Sequence, residues 1–160
     1  LDSLRKNAGA FDSSELRDSA REGRIVHELL SKINAGEDVE PVVDLYTSNG
    51  WIDHEKRDSL IQFFNQLIQQ HHYIFPGKNS VMNEREISNA EGHIYRPDRM
   101  TCDDQNNWRI IDFKTGNEKE AHKKQVMQYA DLLSEAGMNV QSSHILYIDT
   151  EKYQAYTVNL

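Results

Sequence analysis

A chain of 160 residues, 38% of them hydrophobic, can bury one core and is short for two, so a single domain is expected. Its formal net charge of −8 argues against a free-standing DNA-binding surface, because nonspecific affinity comes mostly from Lys and Arg neutralising phosphates. The single cysteine, Cys102, cannot close an intramolecular disulfide, and neither a membrane span nor a signal peptide is visible, which predicts a soluble cytoplasmic protein with no membrane partner.

The chain begins at Leu1 rather than Met, with a polar lead-in through Ser3, Ser13 and Ser14, and reads as a fragment of a longer protein. Ser13 or Ser14 can cap a helix reaching about Ile33, in which Val26, Leu29, Leu30 and Ile33 fall at helical spacing before Gly36. A shorter helix from about Val39 to Thr47 runs to the turn signal Asn49-Gly50, and a third spans about Asp53 to Gln70 with Leu60, Phe63, Phe64, Leu67 and Ile68 on one face. Beyond Pro76-Gly77, strands are predicted over Val81–Ser88, Ile94–Cys102 and Arg109–Lys114. A helix over about Glu120–Ala136, closed by Gly137, and strands Ser143–Asp149 and Tyr153–Val158 complete the order. Helices first and then alternating strands and helix predict an α/β sandwich, a mixed β-sheet flanked by helices.

Within Arg109-Ile110-Ile111-Asp112-Phe113-Lys114-Thr115-Gly116, Asp112 and Lys114 share one strand face while Ile111 and Phe113 point to the other. Alone, such a pair is an ion pair on a half-exposed strand. Its surroundings change the reading. The polar run Asp103-Asp104-Gln105-Asn106-Asn107 is a turn joining this strand to the previous one, and if Cys102 faces Trp108 across it, Asp98 falls opposite Asp112. Like charges so placed repel, and a hard divalent ion such as Mg2+ or Mn2+ would resolve the conflict through oxygen ligands. Pro97, which donates no ladder bond, marks a place for a bulge or an edge.

Other polar candidates are individually weaker. His27 lies beside the apolar stripe of the first helix, and Gly23 one turn earlier leaves room for another segment to approach. Gln125 and Tyr129 are four apart and share a helix face; taken alone, Tyr129 reads as core and Gln125 as surface. Glu84 and Glu86 alternate along a strand and by themselves simply face water. Two basic clusters, Arg96, Arg99, Arg109 and Lys114, or Lys119, Lys123 and Lys124, are candidates for meeting phosphate.

Taken together and in order, these pieces resemble the RecB-type branch of the PD-(D/E)XK nuclease superfamily, the C-terminal nuclease domain of bacterial RecB- and AddA-like helicase-nucleases. They are Gly23-x-x-x-His27, the acidic strand with Glu84, Arg96-Pro97-Asp98-Arg99, Ile111-Asp112-Phe113-Lys114-Thr115-Gly116 and Gln125-x-x-x-Tyr129. The spelling is closest to the subgroup attached to UvrD-like helicases. The resemblance implies a restriction-endonuclease-like fold, with a βββαββ core over 76–160 and an added helical part over 1–75. It implies His27, Asp98 and Asp112 as metal ligands and Lys114 as the catalytic lysine beside Asp98 and Asp112. Gln125, Tyr129 and Glu84 become supports of the site or contacts to the strand. The cofactor implied is Mg2+ or Mn2+; iron–sulfur members use four cysteines, so the single Cys102 predicts no cluster. The activity implied is DNA phosphodiester hydrolysis by a metal-activated water, exonucleolytic and coupled to a helicase module in repair or recombination. Two other readings stay open: a noncatalytic DNA-binding or assembly module of a helicase, and a metal-dependent hydrolase of another substrate.

Overall fold

In the computed structural model, backbone is described for residues 13–160 and side chains from residue 17 onward. Helix α1 (Ser13–Lys32) buries Val26, Leu29 and Leu30 along one stripe, with Ile33 just beyond its end. The expected cap by Ser13 or Ser14 concerns side chains outside those described. Helix α2 (Val39–Ser48) ends at Asn49-Gly50, where Gly50 takes a positive φ of 77° that a side chain would disfavour. A single 3-10 turn, His54–Lys56, precedes α3 (Arg57–Gln70), so the third helix has a tighter first turn than its periodicity predicts. Arg57 ties α3 to α2 through Glu40 at 3.2 Å and Asp44 at 2.5 Å.

The sheet has five strands: β1 (Val81–Asn83), β4 (Arg99–Cys102), β5 (Asn107–Thr115), β6 (Asn139–Asp149) and β7 (Gln154–Asn159), side by side in that order. Only the β5–β6 pair is parallel, and it is joined through α4 (Glu120–Glu135), as a parallel pair requires a crossover. The other neighbours are antiparallel. A separate two-stranded hairpin, β2 (Ile87–Ser88) with β3 (Ile94–Tyr95), stands apart from the sheet.

Two long strands expected from the sequence are therefore interrupted. The Val81–Ser88 stretch breaks at Glu84, whose φ of 48° lies in the left-handed region and turns the chain out of the sheet. The Ile94–Cys102 stretch breaks at Arg96-Pro97-Asp98, the place Pro97 marked, and Pro97 itself is buried. Apolar residues on both sides of each break, Met82 and Ile87 around the first and Tyr95 and Met100 around the second, read as one continuous strand.

Side-chain alternation along β5 divides the core. Ile111 and Phe113 pack with Leu146 and Ile148 against α1, α2 and α3; Ile110 packs with Met100, Ile145 and Tyr147 against Val126, Tyr129 and Leu133 of α4. The result is an α/β sandwich with helices on both faces.

A guanidinium is buried within it. Arg99, expected in a phosphate-facing basic cluster, has no exposed surface and instead braces the helical layer. Its guanidinium donates to the Leu30 and Ile33 carbonyls at 2.6 Å, to the Ile74 carbonyl at 3.0 Å and to Asn83 Oδ1 at 3.0 Å. The first two are carbonyls at the α1 C-terminus, where no intrahelical donor remains. Phe75 and Phe113 flank its cationic carbon at 4.9 and 5.5 Å from their ring centres. Arg99 is thus withdrawn from any ligand.

Candidate active site

The β4–β5 hairpin places the acidic pair. Asp103 Oδ1 accepts the Gln105 and Asn107 N–H groups at 3.0 and 2.9 Å, and Asn106 adopts a left-handed φ of 63°, which closes the turn in one register. Cys102 then pairs with Trp108 and Arg99 with Ile111, as the polar turn predicts. Asp98, one residue before β4, is held on both sides: its carbonyl accepts the Glu84 N–H at 2.9 Å, and its Oδ2 accepts the Phe113 N–H at 2.7 Å. That last bond points the Asp98 carboxyl at β5, next to the buried Asp112.

The pair is electrostatically strained. Burial, then the Asp112 charge, raise the Asp98 carboxyl to about 7, against the opposing pull of the Phe113 N–H. Near neutral pH the Asp98 carboxyl is therefore about half protonated. Asp112 Oδ2 lies 2.7 Å from Lys114 Nζ, yet the ammonium is off any hydrogen-bond direction, and this oxygen is buried without an aligned donor. Lys114 donates instead to Gln125 Oε1 at 3.1 Å. Tyr129, buried on the same α4 face, has its hydroxyl pKa raised by burial and by the Asp112 and Asp98 charges, and its ring packs edge-on against Tyr95.

His27 approaches from the opposite layer. Its ring lies edge-on to Phe113, 6.1 Å between centres. Burial lowers its pKa, with Asp112 opposing, which keeps the imidazole neutral, the form that binds metal. What brings α1 this close is Gly23: a Cβ there would stand 2.8 Å from Thr115 Oγ1 at the end of β5. Gly23→Ala should cost about 1 kcal/mol, overpacking outweighing the gain in helix propensity, and should become stabilising in a Thr115→Ala background. Thermal melts of the four proteins would show it; a stabilising Gly23→Ala alone would mean the contact is loose.

A cleft of about 620 Å3 opens beside His27, lined also by Gly23, Arg24, Glu28, Glu84 and Thr115. Glu84 is exposed at this mouth rather than on a strand face, and its charge reaches His27. The structure thus brings Asp98, Asp112, Lys114, Gln125 and Tyr129 together, sets His27 across Phe113, and leaves Glu84 at the rim. Arg24 and Glu28 escaped the sequence reading; their spacing of three and one from His27 was the available signal.

Among the described residues, no three His, Cys, Asp or Glu side chains converge as a metal cage. The two adjacent carboxylates and the orphaned Asp112 Oδ2 nevertheless fit a hard ion such as Mg2+, which takes one or two carboxylates and fills its remaining positions with water, backbone oxygen and substrate phosphate. No described helix is long and apolar enough to cross a membrane.

A model of the PD-(D/E)XK nuclease superfamily matches residues 2–158. No curated protein matches the sequence. Among solved structures, the crystal structure of SSO0001 is similar at 16% identity over 91% of this chain and 77% of that one, with a TM-score of 0.33, too distant to add to the fold. With its five-stranded mixed sheet flanked by helices in the restriction-endonuclease-like manner, the chain belongs to the PD-(D/E)XK nuclease superfamily.

Proposed function

We propose that this domain is a divalent-metal-dependent deoxyribonuclease, exonucleolytic in action and serving as the nuclease part of a helicase-nuclease in DNA repair or recombination in the cytoplasm. The observation that supports it most is the pair of side-by-side carboxylates, Asp98 and the buried Asp112, with Lys114 Nζ 2.7 Å from Asp112 Oδ2. Mg2+ or Mn2+ would be held by Asp98 and Asp112, with His27 and the Phe113 carbonyl completing the protein's share. When bound, the ion supplies an activated water and stabilises charge on the transferring phosphorus.

The protein's own groups have distinct tasks. Asp98 gives up its proton on loading, so the site fills more readily as pH rises toward about 7. Lys114, anchored on Gln125, would hold its ammonium toward the phosphate oxygen on which negative charge develops. Tyr129 supports the carboxylates from α4, and Glu84 shapes the entrance. A helicase module in the same chain or complex suits an acidic domain, because a motor delivers strand at high effective concentration.

Linear DNA incubated with the purified domain should be degraded in Mg2+ or Mn2+ and spared in excess EDTA. Asp112→Ala and Lys114→Ala should each lower the rate by at least about 100-fold. Glu118→Ala, which loses only an exposed bond from Tyr156 at 3.1 Å, should cleave like the parent. Undiminished cleavage in EDTA refutes the metal assignment.

A further inference from the structure

A second groove, of about 600 Å3, lies between α1 and the end of α2, lined by Arg21, Arg24, Ile25, Leu45, Tyr46 and Trp51. Two of its walls are large apolar side chains left in water: Trp51 is 58% exposed and Leu45 57%. The Trp51 backbone is fixed there, its main-chain N–H bonded to the Tyr46 carbonyl at 2.9 Å just past the Asn49-Gly50 turn, with Ile52 buried behind it. Arg21 and Arg24 are three apart on α1 and so project together, and neither meets a carboxylate among the described residues. Glu28, the groove's acid, is turned onto the Tyr46 hydroxyl at 2.8 Å.

The groove runs into the candidate active site. Arg24 and Glu28 line both it and the cleft that holds His27, Gly23, Thr115 and Glu84. An exposed indole beside two guanidiniums is the combination that holds unpaired nucleotides, with a base stacked on the ring and phosphates on the cations. A duplex presents no free base face to such a ring. We propose that this groove is a strand-guiding subsite for single-stranded DNA, one base stacking on Trp51 and adjoining phosphates meeting Arg21 and Arg24, so that the strand reaches the carboxylate pair along α1. The subsite rests on the nuclease reading for its substrate, and its test separates the two.

The probe is a short fluorescein-labelled oligothymidylate, titrated in EDTA so that binding is read without cleavage; the same oligonucleotide is then incubated with Mn2+. The parent should bind it with quenching of tryptophan emission and should prefer it to a duplex of equal length. Trp51→Ala should weaken binding by about 5- to 150-fold, the equivalent of roughly 1–3 kcal/mol at about 1.4 kcal/mol per tenfold, and abolish the single-strand preference. Trp51→Phe, which keeps a stacking face, should retain most of the affinity. Arg21→Ala/Arg24→Ala should weaken binding and flatten the salt dependence by roughly 1.4 in slope, at about 0.7 for each single-strand phosphate that is no longer neutralised. In the Mn2+ arm, Trp51→Ala should raise KM more than it lowers kcat. Trp51→Ala that binds and cleaves like the parent overturns the subsite, leaves the nuclease reading standing and assigns the groove to a protein neighbour. Failure of the parent to bind even at low salt also overturns it. Trp51-dependent binding without any cleavage in Mn2+ removes the nuclease reading and leaves the subsite.

Discussion

Mg2+ or Mn2+ added to the metal-free protein is expected to raise its melting temperature by about 5–10 °C. A ligand that binds only the folded state, at about 100 times its dissociation constant, adds roughly 2.7 kcal/mol, and a domain of this size gains about 2–4 °C per kcal/mol. The Asp112→Asn protein should lose most of that shift. Its metal-free stability should also respond differently to pH. In the parent, Asp98 binds its proton more tightly folded than unfolded, since its pKa rises from 3.8 to about 7. Between about pH 4 and pH 7 the folded protein keeps a proton that the unfolded chain has released, so this group's contribution is full below pH 4 and lost as pH rises through about 7. A shift of this size corresponds to a few kcal/mol at about 1.36 kcal/mol per unit. Asp112→Asn removes the second cause of the shift but not the first, burial, so the slope should shrink without vanishing. Melting curves at several pH values, with and without metal, measure both effects; a parent insensitive to metal, with Asp112→Asn clearly less stable, would identify a structural ion pair.

The largest loss of stability is expected at Arg99. Arg99→Ala strips donors from the Leu30, Ile33 and Ile74 carbonyls, leaves Asn83 half-satisfied and empties a site with no solvent exposure. Each buried acceptor left without a donor costs about 1–3 kcal/mol, and the cavity adds to this. With three carbonyls affected, a loss of at least about 3 kcal/mol follows, enough to unfold many domains. Arg99→Lys should recover little, because three donors on one nitrogen cannot span the four acceptors that the planar guanidinium reaches from three nitrogens. Urea denaturation should place both variants far below the parent's midpoint. A loss under about 1 kcal/mol for Arg99→Lys would show that a single ammonium satisfies the same carbonyls.

What could be read in advance followed from local rules. The β4–β5 register, which ends at Arg99 and Ile111 and so leaves Asp98 next to Asp112, depends on one turn and on period-two alternation, both visible in the letters, and the turn's own side-chain bonds enforce it. Gly23 before His27 signalled a close approach, and the approaching atom is Thr115 Oγ1. What could not be read depends on contacts distant in sequence. Arg99 carries the same charge as its exposed neighbour Arg96, and only the packing of α1 and Phe75 around it makes it a brace. Glu84 sits in strand-like sequence, yet its left-handed backbone puts it at the mouth of the His27 cleft instead of on the sheet. Lys114 and Gln125 were assigned to one site by resemblance, and their bond at 3.1 Å is a fact of tertiary packing that spacing along the chain does not contain.

Direct titration of Mn2+ into the metal-free protein by calorimetry tests the central claim, that Asp98 and Asp112 form a cation site against which Lys114 competes. The parent should bind Mn2+ with proton release, more weakly below about pH 7, where Asp98 holds its proton. Asp112→Asn should abolish the binding. Lys114→Met, which removes the ammonium 2.7 Å from Asp112 Oδ2, should bind Mn2+ as tightly as the parent or more so while losing its nuclease activity. Mn2+ binding unchanged by Asp112→Asn, or absent from parent and Lys114→Met alike, would contradict the account.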